Sequence, residues 1–353
     1  MKILLLTRYS SIGPSSRLRF YQYLPYLKEH GIDVEVAPLL GSKYIEDLYR
    51  GKKRNYASIL RAYLQRIGYL TRSRRFDLIW IEYEILPWLP EWCERVLNAL
   101  NIPYIVDYDD AIFHRYEMNP NRMVRSFLKH KIDRIMGQAD VVVAGNGYLA
   151  DRAKQAGAKR IVQLPTVVDL DRYRAEPSNG SPIFKIGWIG TPSTAGYLQL
   201  AETAITEVCG EPNTRLVLVG SGPIQLNGLD VEIRPWTEDT EAMDILDFDV
   251  GIMPMPSNSW TRGKCGYKLI QYMACSRSVV ASRVGVNPEI VENGVHGFLV
   301  ERTEEWVTAL KTLRENHQLR KDMGRRGRHR VEQTYCLQVT APRLLSLIQS
   351  VAR

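Results

Sequence analysis

The 353-residue chain predicts an α/β protein of two Rossmann-like, doubly wound domains facing each other across a cleft. Three observations predict it. Short apolar runs alternate with segments of helical period along the whole chain. The length exceeds what one ordinary core serves. A polar, breaker-rich stretch, Ala175–Pro182, divides the alternation into two similar series. Domains are therefore expected at residues 1–175 and 183–336, with the segment 337–353 packing back on the first.

In chain order, the first series predicts strands at Ile3–Leu6, Val34–Ala37, Leu78–Ile81, Tyr104–Asp107, Val141–Ala144 and Ile161–Leu164. Helical period fills the gaps, as in Leu18–His30 and Val124–Met136. The second series predicts strands at Phe184–Trp188, Arg215–Val219, Val231–Arg234, Val250–Met253, Val279–Ala281 and Gly297–Val300. Helices near Glu304–Glu315 and Leu319–Thr334 and an amphipathic run from Val339 to Val351 close the chain. Such sheets bind ligands at the carboxyl ends of their strands.

A content of 45% hydrophobic and 24% charged residues fits a globular protein and excludes a disordered one. No apolar run approaches the ~20 residues that cross a bilayer, and Met1–Leu6 reads as a strand rather than a signal peptide. Five scattered cysteines (93, 209, 265, 275, 336) lack a CxxC spacing, so neither a disulfide framework nor a zinc site is expected. A reducing cytoplasm is the expected compartment, with peripheral placement on the inner face of the membrane as its variant. Residues 1–175 hold 28 Lys and Arg against 19 Asp and Glu, whereas the remainder is nearly balanced. Within that half, residues 48–76 carry Arg50, Lys52, Lys53, Arg54, Arg61, Arg66, Arg72, Arg74 and Arg75 and no acid. Tyr56, Ile59, Leu60, Tyr63, Leu64, Ile67 and Leu70 recur between them at helical spacing. The pattern suits an anionic membrane surface, or a solvated helix packed on the sheet. No nucleic-acid recognition motif accompanies the charge.

Chemistry concentrates between Asp249 and Val300. Gly263 and Gly266 allow a tight turn into a helix whose free amides attract phosphate. Lys264, Lys268 and Gln271 fall at i, i+4 and i+7, which would line one face. Two ammonium groups there suit a diphosphate, and the amide a ribose hydroxyl; a buried helix with snorkelling lysines has the same spacing. In the first domain, the Ser10–Arg19 loop offers close backbone approach at Gly13, with Arg17 or Arg19 reaching a phosphate or an acidic acceptor. Asp107, Asp109 and Asp110 end a strand, too close together to stay unpartnered. Glu82 and Glu84 end another and would meet the acceptor or solvent. Gly145–Ala150 matches GxGxxA but sits late in its domain, so it reads as a turn into a helix. Gly220 and Gly222 form a weak glycine loop expected near a nucleotide, while Trp236 and Glu238 would frame a base. His296 reads as structural, and His114 would approach the cleft.

The runs Tyr272–Ser282, Gly285–Val291 and Asn293–Val300, with Trp188–Ser193 and Trp236, resemble the family 4 retaining glycosyltransferases of the GT-B fold. The resemblance implies transfer of a sugar from a nucleotide-diphosphate sugar to an acceptor hydroxyl, in glycan, polysaccharide or glycolipid synthesis. It implies no metal for the chemistry and no cofactor. It implies donor contacts at Gly13, Gly190, Thr191, Ser193, Trp236, Lys264, Gly266, Tyr267 and Gln271, with Asp109, Asp110 and Lys268 in catalysis. Acceptor or phosphate contacts fall to Arg17, Arg19 and Glu84, and the acceptor would be a glycan or a lipid-linked sugar. Two departures stand out. Gly263 and Gln271 occupy the positions where the family often has paired glutamates, and Gly190–Thr194 lacks its usual Arg and Lys. Hence two other expectations stay open: a sugar-nucleotide-binding protein without transferase activity, and a sugar-nucleotide epimerase of the same architecture.

Overall fold

The structure is a computed structural model that describes residues 1–49, 51–52, 55–174, 182–226, 228–229 and 231–352. Arg50, Lys53 and Arg54 of the basic stretch, and the breaker segment from 175 to 181, lie outside the described residues. The chain forms two compact units. One comprises Met1–Thr166 together with Gly263–Cys265 and Thr340–Arg353; the other comprises Val167–Arg262 with Gly266–Val339.

In the first unit, β1 (Lys2–Leu6), β2 (Asp33–Val36), β3 (Leu78–Glu82), β4 (Tyr104–Tyr108), β5 (Val141–Ala144) and β6 (Ile161–Gln163) form a six-stranded parallel sheet. The order is β2-β1-β3-β4-β5-β6, so the winding direction reverses between β1 and β3. β3, β4 and β5 are buried along their whole length, which is why they read as unbroken apolar runs. The second unit repeats the plan with β7 (Phe184–Ile189), β8 (Thr214–Val219), β9 (Val231–Arg234), β10 (Val250–Met253), β11 (Ser278–Ser282) and β12 (Gly297–Val300). Its order, β12-β11-β10-β7-β8-β9, places the reversal between β7 and β10. Crevices at such reversals, outside the carboxyl ends of the strands, are where open α/β sheets hold ligands.

All twelve expected strands are present, but several helices are broken where the sequence reads them as continuous. Leu18–His30 is divided among a helix at Pro14–Arg19, a 3-10 turn at Tyr21–Tyr23 and a helix at Leu24–Glu29. Pro25 has no amide hydrogen and suits the first turn of the last piece. Val124–Met136 is two helices, Arg122–Leu128 and Lys131–Gln138. The closing helices run Thr303–Glu315, His317–Thr334 and Leu337–Val351. Within the first unit, Thr340 meets the Tyr23 hydroxyl at 3.0 Å and Arg343 donates to the Gln163 carbonyl at 3.2 Å. All five cysteines are free thiols.

Candidate functional site

At the reversal point of the first unit, the loop after β1 turns into the Pro14–Arg19 helix. Gly13 precedes that helix, and a Cβ there would stand 2.6 Å from the Tyr9 Cβ, so only glycine fits. The next turn binds the end of β3: Ser16 Oγ donates to Glu82 Oε2 at 2.7 Å and the Arg8 amide to the same oxygen at 2.6 Å. Burial pushes the Glu82 carboxyl up to about 7, against the pull of those hydrogen bonds. Arg17 is buried on the same helix. Arg19, expected to reach a phosphate or an acidic acceptor, is instead 2% exposed and turned into the core. Its Nε and Nη2 lie 2.9 and 2.7 Å from Asp107 Oδ1, and Nη1 donates to the Leu164 carbonyl. An unpaired Asp107 at the end of β4 would be costly in the core, and Arg19 neutralises it.

Glu84 likewise does not present itself to an acceptor. It is buried, with Lys131 Nζ at 2.5 Å, the Tyr116 hydroxyl at 2.7 Å and Arg8 Nη1 at 3.8 Å. Burial works against its charge, but Lys131 and then Arg8 outweigh it and hold the carboxyl below its ordinary range. Between the two glutamates, Tyr83 adopts φ 62, a left-handed conformation unfavourable for an aromatic residue. The Tyr108 hydroxyl braces that turn through the Tyr83 carbonyl at 2.8 Å. Burial, and next the charge of Asp109, raise the Tyr83 phenol far above its ordinary value, so its hydroxyl stays protonated and donates to Asp109 Oδ1.

The tripeptide Gly263–Cys265 completes this edge of the first unit. Lys264 Nζ pairs with Asp110 at 2.8 Å from Oδ1 and 3.0 Å from Oδ2. Burial raises Asp110 to about 6; Lys264 opposes the rise and Asp109 adds to it. Cys265 Sγ lies 3.2 Å from the Asp109 carbonyl, and Asn146 Nδ2 donates to the Lys264 carbonyl at 3.0 Å. A Cβ at 263 would sit 2.5 Å from the Ala111 Cβ and 2.8 Å from its amide nitrogen, so there is a steric reason why no glutamate stands at this position. Lys264 does not share a helix face with Lys268 and Gln271. The helix is Tyr267–Ala274, and Gly266, at φ 65, ends the preceding chain in a left-handed turn.

In the second unit, the loop after β7 holds Gly190, where a Cβ would come 2.6 Å from the Trp188 ring and 2.8 Å from Lys268 Cε. Thr191 caps the short helix Pro192–Ala195, and its hydroxyl meets Ser193 Oγ at 2.8 Å. Lys268, in the first turn of the Tyr267–Ala274 helix, sets Nζ 3.3 Å from Thr194 Oγ1 and 4.8 Å above the Trp188 ring. Ring and hydroxyl together steer the cation. Gly220, at φ 74, approaches the Gly190 carbonyl and Trp236. Trp236 Nε1 donates to Glu241 Oε2 at 2.9 Å, and the Tyr173 hydroxyl to Oε1 at 2.6 Å. Gln271 Nε2 donates to the Tyr173 hydroxyl at 2.7 Å and lies 3.4 Å from Glu241 Oε2. Tyr267 reaches the Tyr173 hydroxyl at 3.4 Å.

Glu241, buried at the hub of this network, is the residue that sequence reasoning misses; it picks out Glu238, which is exposed and paired with Arg172 at 2.7 Å. The signal was faint: an acid in the first turn of the Glu241–Leu246 helix is expected on dipole grounds alone. Lys131 and Tyr83 were missed as well. His114 is engaged on both ring nitrogens, by Glu117 at 2.6 Å and the Tyr148 hydroxyl at 2.8 Å. His296 accepts the Glu292 amide in the turn before β12. Asn146, in the GxGxxA segment, caps the Gly147–Gln155 helix through the Leu149 amide. Among the described residues, no three His, Cys, Asp or Glu side chains are grouped to hold a metal ion, and no helix is long and apolar enough to cross a membrane.

Residues 183–316 match the family described as Glycosyl transferases group 1. No curated protein matches the chain in a sequence comparison. Among solved structures, HepE from Anabaena in complex with UDP-glucose superposes with a TM-score of 0.69 at 17% identity, covering 99% of each chain. Sucrose-phosphate synthase from Thermosynechococcus elongatus gives 0.72 at 15% identity over 99% of this chain and 98% of that one. A UDP-forming trehalose-phosphate synthase from Burkholderia xenovorans gives 0.64 at 12% identity, with 99% of both covered. The fold of this chain is therefore the two-domain GT-B fold of those enzymes.

Proposed function

We propose that the chain, whose residues 183–316 match the family described as Glycosyl transferases group 1, is a retaining glycosyltransferase that takes its sugar from a uridine diphosphate sugar. The observation that carries this is Lys268. A single ammonium group, steered by Trp188 and Thr194, stands in the first turn of a helix entered from a left-handed glycine. Helix amides and a fixed cation together suit a diphosphate. Uridine is favoured because HepE holds UDP-glucose on the same fold.

In the reaction, an acceptor hydroxyl attacks the anomeric carbon as the bond from that carbon to the diphosphate oxygen breaks. The acceptor proton passes to a phosphate oxygen of the leaving diphosphate on the same face. Lys268 and the amides near Gly190, Thr191, Ser193 and Gly266 stabilise the negative charge that builds there. Tyr267, Gln271 and Trp236, organised around Glu241, shape the nucleoside side. Asp109, fixed by Tyr83, and Asp110, fixed by Lys264, orient sugar or acceptor hydroxyls, with Gly13 on the loop after β1 and Arg17 on the helix that follows it. The acceptor is a glycan or lipid-linked sugar, and the basic residues of 48–76 favour one presented at an anionic membrane surface.

Replacing Lys268 with Ala is expected to lower turnover by about two orders of magnitude, the usual effect of losing one charge-stabilising donor. Nucleotide released from a panel of UDP-sugars measures it. The thermal shift given by UDP should vanish in the same variant, since a ligand that binds only the folded state raises its stability. Unchanged turnover and an unchanged shift would refute the role of Lys268, and conversion of the donor to an epimer without transfer would refute the reaction.

A further inference from the structure

Large apolar side chains are exposed very unevenly. Thirteen of the sixteen found exposed among the described residues belong to the first unit, and eleven of those fall in three neighbouring segments. The Tyr56–Leu70 helix turns Tyr56, Leu60, Leu64 and Ile67 outward, while Tyr63 binds the Pro87 carbonyl at 2.7 Å and Arg66 is buried against the carbonyls of Thr7 and Ala37. The turn after β3 follows, with Trp88, held at φ 64, and Trp92 exposed. Trp88 packs edge-on against Tyr116 at 5.4 Å, and two residues beyond Tyr116 begins the third segment, which exposes Met118, Met123 and Phe127.

Charge is sorted in the same segments. Residues 56–75 and 118–129 contain no acid, and the two acids within 88–96, Glu91 and Glu94, are both buried. Arg61, Arg72, Arg74, Arg75, Arg122 and Lys129 are exposed. A core-facing surface would not be ringed by cations, and a water-facing one would not expose tryptophan, phenylalanine and leucine together. Apolar and amphipathic aromatic side chains bordered by Lys and Arg are the features that hold a protein in the headgroup layer of an anionic bilayer.

We propose that this face, built from the outer side of the Tyr56–Leu70 helix, the segment from Trp88 into the Trp92–Ala99 helix and the 118–129 segment, is a docking surface for a membrane bearing anionic headgroups. The structure extends the surface well beyond the basic stretch at 48–76, and withdraws Arg66 from it. The face lies on the same unit as Asp109 and Asp110, six residues beyond the end of β3, so it would bring that edge of the sheet to the bilayer surface.

The full chain is tested by co-sedimentation with vesicles of phosphatidylglycerol mixed with phosphatidylcholine, and with pure phosphatidylcholine. Binding is expected to the mixed vesicles only, and to weaken with salt. The triple variant Leu60→Ser, Leu64→Ser, Trp92→Ser, and separately Arg61→Glu, Arg122→Glu, Lys129→Glu, should each lower the partition at least tenfold. Both variants should keep the wild-type UDP thermal shift, which shows them folded and separates this test from that of the transferase reading. Equal partition of wild type and variants, or no binding of wild type to the mixed vesicles, would overturn the proposal. So would a wild-type dimer that the serine variant converts to monomer in sedimentation velocity without any vesicle binding, since the face would then hold a second copy.

Discussion

The two units share a sheet plan but treat charge oppositely at the carboxyl ends of their strands. In the first, Glu82, Glu84, Asp107 and Asp110 crowd the edge, and cations are drawn in to meet three of them: Lys131 and Arg8 at Glu84, Arg19 at Asp107, Lys264 at Asp110. In the second, the prominent charge at the reversal point is the ammonium of Lys268, resting on an uncharged ring and hydroxyl. The acidic edge is occupied largely with its own ion pairs, whereas the ammonium of the basic edge meets an aromatic face and a hydroxyl. One fold thus carries opposite charge at its two sets of strand ends, chosen by which side chains those ends carry.

The sharpest way to break this comparison is to remove one cation from each edge. Lys131→Met strands Glu84 in the core and is expected to cost roughly 3–5 kcal/mol in urea denaturation. Lys268→Met is expected to cost about 1–2 kcal/mol, the value of a part-buried cation–π contact, while abolishing the UDP shift. Equal losses of stability would erase the distinction.

A second test uses pH. Glu82 titrates near 7 in the folded chain against an ordinary 4.5, so the folded state holds a proton that the unfolded state has released between those values. Stability should therefore fall as pH rises from about 4.5 to about 7, by about 3 kcal/mol from this group, and stay level above. Glu82→Gln should flatten that fall in melting curves taken across the range; an unaltered slope would show that Glu82 is not its source. A final test is Gln271→Glu, which sets a second carboxylate beside Glu241. A loss of roughly 1–3 kcal/mol near neutral pH should shrink as the pH is lowered and the new carboxyl protonates. If stability is unchanged at pH 8, Glu241 does not dictate the neutral amide.

The inner strands were legible because parallel strands buried on both faces become apolar runs, as at Ile3–Leu6 and Val141–Ala144, whereas β2, β6 and β9, only part-buried, were legible from their place in the alternation. Helix interruptions were less so: nothing in the periodicity of Val124–Met136 marks the break at Lys129 and His130. Periodicity also misjudged the Tyr56–Leu70 helix, placing Leu60 and Leu64 on one apolar face with Tyr63. The inward position at that level belongs to Arg66, whose burial makes sense only once the carbonyls of Thr7 and Ala37, far off in sequence, are in place. Lys268 was singled out from its spacing with Lys264 and Gln271, although Lys264 lies before the helix and does not share its face. Glu241 and Tyr83 were not, because their importance lies in partners 68 and 26 residues away.

The borrowed tripeptide Gly263–Cys265 bears on any attempt at dissection. A fragment ending at Thr166 would contain all six strands of the first sheet, yet it would arrive without the wedge that packs on Ala111 and against Gly145. Asp110 would lose Lys264, and Asn146 the carbonyl it binds. The halves of this molecule are consequently not interchangeable cassettes: swapping the front portion would require transplanting three residues from deep inside the other portion's sequence, and the closing segment from Thr340, along with it.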